Sequence, residues 1–325
     1  MPFLGEFAAI GASIAFSITA TLFTLSGRHY GAQLTMMGSL PIGLACLMLV
    51  HWLAIGTVLP IDANPLRWIY LGLSGIIGFW LTAVSMMNAF LRIGPRLTLL
   101  IAALGPIIST IFAWILLDEQ LPAMTIVGII VTIGGITFVI TENDKSNDTQ
   151  KATSASAFRT GIIFALSAAI GQAISFILSK QGLTGDFTPI YDYIGLFPIE
   201  LDLYHHALNA FDPLSGSVIR ILFGAVSIWM FTAIRGQVRT NIQTLLSHRI
   251  ALRQLSVAAI SGPVIGASLL LFALAIAPIG IATTLANLTP IFLIPIGFIV
   301  FKERISPRAI IGTAIAISGI AVLFI

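Results

Sequence analysis

Residues 101–140 read IAALGPIISTIFAWILLDEQLPAMTIVGIIVTIGGITFVI, and residues 285–325 read LANLTPIFLIPIGFIVFKERISPRAIIGTAIAISGIAVLFI. At a constant offset of 184, Ala102, Leu104, Pro106, Ile107, Glu119, Gly128 and Gly135 fall on Ala286, Leu288, Pro290, Ile291, Glu303, Gly312 and Gly319. The register extends upstream, with Gly78 and Ala89 on Gly262 and Ala273. Shared hydrophobicity does not reproduce glycine, proline and glutamate positions, so the match marks an internal repeat. Nearer the N-terminus the offset is 156, placing Gly5, Ala9, Ala12, Ile14, Ile18 and Leu22 on Gly161, Ala165, Ala168, Ile170, Ile174 and Leu178. The difference, 184 − 156 = 28 residues, is an insertion in the second half.

The surrounding composition identifies the solvent. Hydrophobic residues make up 57% of the 325 and charged residues 9%, about a third of the charged share of a soluble domain. Such a chain cannot cover its own surface in water. A bilayer core about 30 Å thick takes roughly 20 apolar residues per helical crossing. Apolar stretches of that order fall near 5–25, 33–57, 68–91, 97–117 and 122–141, and again near 160–179, 217–234, 254–276, 281–301 and 308–325. Period-two alternation is missing, which argues against a membrane barrel and leaves helices to satisfy the backbone in lipid. The expected fold is an all-α membrane protein of ten transmembrane helices in two five-helix repeats. The first repeat covers 1–142, a linker 143–158, and the second repeat 159–325, with an inserted loop near 184–214. MPFLGEFAAIGASIAFSITATLF lacks a basic leader region and is too long for a cleavable signal, so the first crossing is expected to stay in place.

Five crossings is an odd number, so the second unit is expected to lie inverted relative to the first. Inverted repeats exchanging conformations around a midplane site are an architecture of secondary transporters. The stretches GPRLTLLIAALGPIISTIFAWILLDEQLP and APIGIATTLANLTPIFLIPIGFIVFKERIS, with the glycine-rich tails IVGIIVTIGG and AIIGTAIAISG, resemble the EamA-type branch of the drug/metabolite transporter superfamily. The resemblance covers almost the whole chain except roughly 184–214. It implies a multi-pass transporter, mostly exporting, in a branch whose substrates include amino acids, metabolites and drugs.

Charge sets an expected orientation. Thirteen of the sixteen Lys and Arg residues flank the loops after odd-numbered crossings, against Arg67, Lys180 and Arg220 on the other face. By the positive-inside rule the odd-numbered loops are cytoplasmic and both termini outside. The net charge of +3 belongs to this membrane rim and predicts no nucleic-acid partner. The expected setting is a bacterial plasma membrane, with the bilayer and a small molecule as partners. The acidic segment from Gly185, carrying Asp186, Asp192, Glu200, Asp202 and Asp212, suits an interfacial lid or a homodimer contact. Cys46 is the only cysteine, and the five histidines lack metal-ligand spacing, so neither metal nor cofactor is expected.

No carboxylate falls in mid-crossing, so the usual device for holding cationic drugs is missing. The polar residues inside are neutral. Gln172, Ser175 and Ser179 form one helical stripe, joined by Asn88, Thr98 and Ser109 and by Thr283, Thr284 and Asn287. Candidate substrate contacts are Gln172, Asn88, Asn287, Ser175 and Thr284, with Trp80 as an apolar wall. Paired Pro106 and Pro290, together with Pro263, are candidate kinks shaping the cavity. Gly75 and Gly78 are read chiefly as packing positions. The function expected is a secondary transporter, in the exporting direction, for a small neutral, zwitterionic or anionic metabolite, amino-acid-like or drug-like. A channel and an intramembrane enzyme acting on lipid are the competing classes; the residues for an active site are lacking, so the chain is not read as an enzyme.

Overall fold

The computed structural model describes residues 3–105, 107–108, 111–112, 123–140, 155–185, 211–276, 282, 285–286, 288–301 and 306–322. Every regular element among them is helical. They are α1 (Leu4–Ile55), α2 (Pro65–Gly75), α3 (Ala83–Ala102), α4 (Ala123–Ile140), α5 (Ala155–Thr184) and α6 (Pro213–Ile234). The chain continues through α7 (Val238–Ser247), α8 (Arg249–Ala259), α9 (Ala267–Ile276), α10 (Thr289–Ile296) and α11 (Pro307–Val322).

Five helices among the described residues are long and apolar enough to cross a membrane: Leu4–Ile55, Pro65–Ala102, Ser156–Thr184, Pro213–Ile234 and Arg249–Ala273. Their outward faces carry large apolar side chains such as Phe7 (71% exposed) and Leu53 (71%), which only lipid would solvate favourably. Inside, hydroxyls return their protons to their own helix: Thr19 to Ala15, Thr21 to Ser17 and Thr24 to Ala20, at 2.7–3.0 Å. This satisfies polar groups where no water is at hand.

Where the sequence predicts loops at 26–32 and 92–96, the helix instead continues with one broken residue. Gly31 (φ 74°) interrupts α1, and Gly94 (φ 77°), followed by Pro95, interrupts α3. Only glycine adopts a positive φ without strain, so a chain direction change is made without unwinding a turn. A further departure is α7, a short helix with one buried residue, Leu245, where the sequence predicts only a loop.

The repeat register is visible in the backbone. The helix Pro65–Ala102 contains a π-helical segment at Ile76–Thr82, and the helix beginning at Arg249 contains one at Ile260–Gly266. Each bound shifts by the same amount: 76 + 184 = 260 and 82 + 184 = 266. A π-segment holds one residue more per turn than an α-helix; in the second repeat it seats Pro263, which has no N–H to offer the helix ladder.

Contacts are exchanged between the halves in the same register. A Cβ added to Gly78 would lie 2.5 Å from Ser175 Oγ; one added to Gly262, its equivalent, would lie 2.7 Å from Thr19 Oγ1, and 175 − 156 = 19. Gly224 lies against Gly75 O and Phe79 Cβ, whereas Gly43 lies against Ala259 O and Pro263 Cβ. Since 75 + 184 = 259 and 79 + 184 = 263, Gly43 and Gly224 are equivalent at an offset of 181. The 28-residue insertion therefore divides into 181 − 156 = 25 residues before α6 and 184 − 181 = 3 between α6 and α8.

A cavity between the repeats

The two halves border a partly open cavity of about 220 Å³. From the first half it is lined by Phe16, Thr19 and Phe23 of α1, by Ser39 and Leu40 beyond the Gly31 break, by Gly78, Phe79 and Thr82 of the π-segment, and by Met86, Met87 and Phe90 of α3. From the second half come Gln172 and Phe176 of α5, Arg220 of α6, Gly262, Pro263, Ala267 and Leu270 of the α8–α9 helix, and Ala286, Thr289 and Pro290. Both π-segments thus open onto one space. Apolar side chains, five phenylalanines and three methionines among them, make most of its wall, the usual composition of a small-molecule site.

Arg220 is its only charged lining residue among those described. It is 4% exposed. It stands well inside α6, which starts at Pro213 after an Asp212 cap accepting from Ser215 N at 2.7 Å. Seven residues at 1.5 Å rise carry it about 10 Å along the axis. Its Nε donates to Ser74 Oγ at 2.9 Å and its Nη2 to Ser175 Oγ at 3.2 Å. The Phe79 ring lies 5.2 Å from the guanidinium carbon, within cation–π range. Behind the guanidinium the hydroxyls close on one another. Ser74 Oγ bonds Ser175 O at 2.9 Å and approaches Ser179 Oγ at 2.6 Å, and Ser175 Oγ donates to Ser74 O at 2.9 Å. All these partners are neutral.

Glycines make the site possible. A Cβ on Gly75 would collide with the backbone carbonyl of Arg220, and one on Gly78 would crowd Ser175 Oγ and approach Arg220 Nη2 to 3.5 Å. The small residues of α2 and the adjoining π-segment let α6 approach until the guanidinium reaches the serines.

The sequence-derived residues fare differently. Gln172, Pro263 and Pro290 line the cavity. Ser175 stands behind it, holding Arg220. Asn88 is not brought to it: its Nδ2 donates to Val84 O, and its Oδ1 accepts from Arg92 Nη1 at 2.7 Å. Trp80 also lies outside the lining and packs on Phe231, with ring centroids 5.5 Å apart. Asn287, Thr284 and Pro106 fall outside the described residues. Pro290 is the second residue of α10, directly after a turn at Leu288, rather than a kink in an unbroken helix. There its missing N–H needs no partner.

Arg220 is the residue the sequence reading misplaced, having counted it among the rim charges. The available signal was a cation several residues inside an apolar stretch, which in a membrane is a functional position by default. Among the described residues no group of His, Cys, Asp and Glu could hold a metal ion.

A sequence comparison decides the family. The EamA-like transporter family matches residues 3–141 and 203–325, one match per repeat. The chain belongs to that family. It is a membrane transporter of the drug/metabolite transporter type, as the EamA members are transporters. Among curated proteins none matches. A solved structure described only as a crystal structure of a protein is similar over 97% of this chain and 96% of its own, with a TM-score of 0.57 and 14% identity. At that identity the likeness concerns the fold alone.

Proposed function

We propose that this EamA protein is a secondary transporter with ten crossings in two inverted five-helix units, carrying a small metabolite by alternating access through the cavity described above. The observation that carries the reading is the arrangement of the two equivalent π-segments, Ile76–Thr82 and Ile260–Gly266, both of which border one cavity walled by both repeats. Two equivalent wall pairs can exchange roles, and that exchange would open the space to either side. Gly31 and Gly94 support the span count, because each divides a helix longer than one crossing needs, 52 residues for α1 and 38 for Pro65–Ala102.

The transported class is small, predominantly apolar, and neutral, zwitterionic or anionic, since the described lining offers hydroxyls, one amide and one cation but no carboxylate. Export across a bacterial plasma membrane, with both termini outside, is the direction and setting we assign. Thermal-shift screening of the purified chain against metabolites finds ligands of the folded state, and flux of those hits in proteoliposomes tests the function. Saturable flux is expected; ligands that stabilise the protein yet never cross faster than in empty vesicles would contradict it.

A further inference from the structure

Within that transport reading, we infer that Arg220 is an anion subsite, and that the substrate is an amphiphile with one carboxylate, or a comparable monoanion, at one end of an apolar body. A guanidinium has five N–H donors, and the two bonds to Ser74 and Ser175 engage two of its nitrogens. Hydroxyls hold it in place without neutralising it. Removing a charge from water is costly unless an opposite charge compensates, and no described lining residue is acidic. Among the described residues the cavity is thus short of one negative charge.

A neighbour points the same way. Gln172 lines the same space and has no hydrogen bond among the described residues. Guanidinium and amide together supply N–H donors of the kind a carboxylate accepts.

The repeat does not duplicate this subsite. At the 181 offset the position equivalent to Arg220 is 220 − 181 = 39, occupied by Ser39, which also lines the cavity. Ser39 donates to its own helix at Met36 O, 3.2 Å. One wall is therefore cationic and its counterpart neutral. Phe16, Phe23, Met86 and Phe90 suit the apolar body.

Titrating the purified full chain with phenylacetate, phenylacetamide and phenethylamine tests this, because the three probes differ chiefly in head-group charge. Phenylacetate should bind about 10- to 100-fold tighter than the amide, the range expected for a hydrogen bond to a charged group. Phenethylamine should bind weakest. Arg220→Gln should abolish the difference between acid and amide. Where that variant folds poorly, Gln172→Ala keeps Arg220 and should weaken phenylacetate by about 2- to 10-fold. Equal binding of acid and amide, or preference for the amine, overturns the inference. A lipid phosphate could supply the same charge, so dioleoylphosphatidylglycerol is the second arm: phenylacetate should displace it from the site, and failure to displace it overturns a free solute as occupant. Absent acid preference with the cavity still reachable from both faces of the membrane overturns the subsite alone. Acid preference with a cavity reachable from one face overturns the transport reading alone.

Discussion

Gly135 and Gly319 seat each other's helices. A Cβ on Gly135 would lie 2.5 Å from Ala316 N and 2.8 Å from Gly312 O, and one on Gly319 would lie 2.5 Å from Thr132 N and 2.9 Å from Gly128 O. Every partner is the other's equivalent, since 128, 132 and 135 plus 184 give 312, 316 and 319. A contact in which i meets j and the equivalent of i meets the equivalent of j is the signature of a two-fold axis. Gly135→Ala and Gly319→Ala should each destabilise the protein by about 1–3 kcal/mol through overpacking, and by similar amounts. Thermal unfolding of the two variants measures this; full tolerance of one with loss of the other would break the symmetry argument.

Gln172 and Asn88 should separate. Gln172 borders the cavity without a hydrogen-bond partner among the described residues, whereas Asn88 is tied to Val84 O and Arg92. Gln172→Ala should lower transport much more than thermal stability. Asn88→Ala should cost about 1 kcal/mol of stability through its lost bonds with ligand affinity preserved. The reverse pattern in flux and melting assays would show that the cavity is not the transport route.

His51 links two helices away from the cavity. Its Nδ1 donates to Thr57 O at 2.6 Å, so in the neutral ring Nε2 accepts from Ser215 Oγ at 2.9 Å. The ring is fully buried. His51→Ala should cost about 1–3 kcal/mol by leaving the buried Ser215 hydroxyl unsatisfied, without changing which ligands bind. Altered ligand preference at unchanged stability would assign His51 a role in the cavity.

Arg235 and Arg239 lie between α6 and α8, and Arg249 and Arg253 in the first turns of α8, on the face assigned to the cytoplasm. A reporter fluorescent only in the cytoplasm, fused after Ile325, should give dark cells. Bright cells would reverse the assigned orientation.

Much of this fold was legible because the repeat preserves residues with backbone consequences. Gly128, Gly135, Gly312 and Gly319 recur where two helices touch, and the offset of 184 returns in the π-segment bounds. The Gly31 and Gly94 breaks were read as loops, since hydropathy averages over a window and misses a turn confined to one residue. The candidate site was legible in part. Gln172, Ser175 and Ser179 do share a helix face, but that face is divided between the cavity and the support of Arg220. Arg220 escaped notice because charge counting by loops treats a cation near a helix start as a rim residue. Its meaning depends on Ser74, 146 positions away in sequence.

The most direct test of alternating access starts from removal of the single native cysteine. In a Cys46→Ser background, Ala267→Cys places one thiol on the cavity wall. Membrane-impermeant maleimide is applied to right-side-out and to inside-out vesicles, with and without a bound ligand from the screen. Labelling should occur from both faces, with ligand raising it on one face as it lowers it on the other. Labelling confined to one face under every condition would contradict transport through this cavity.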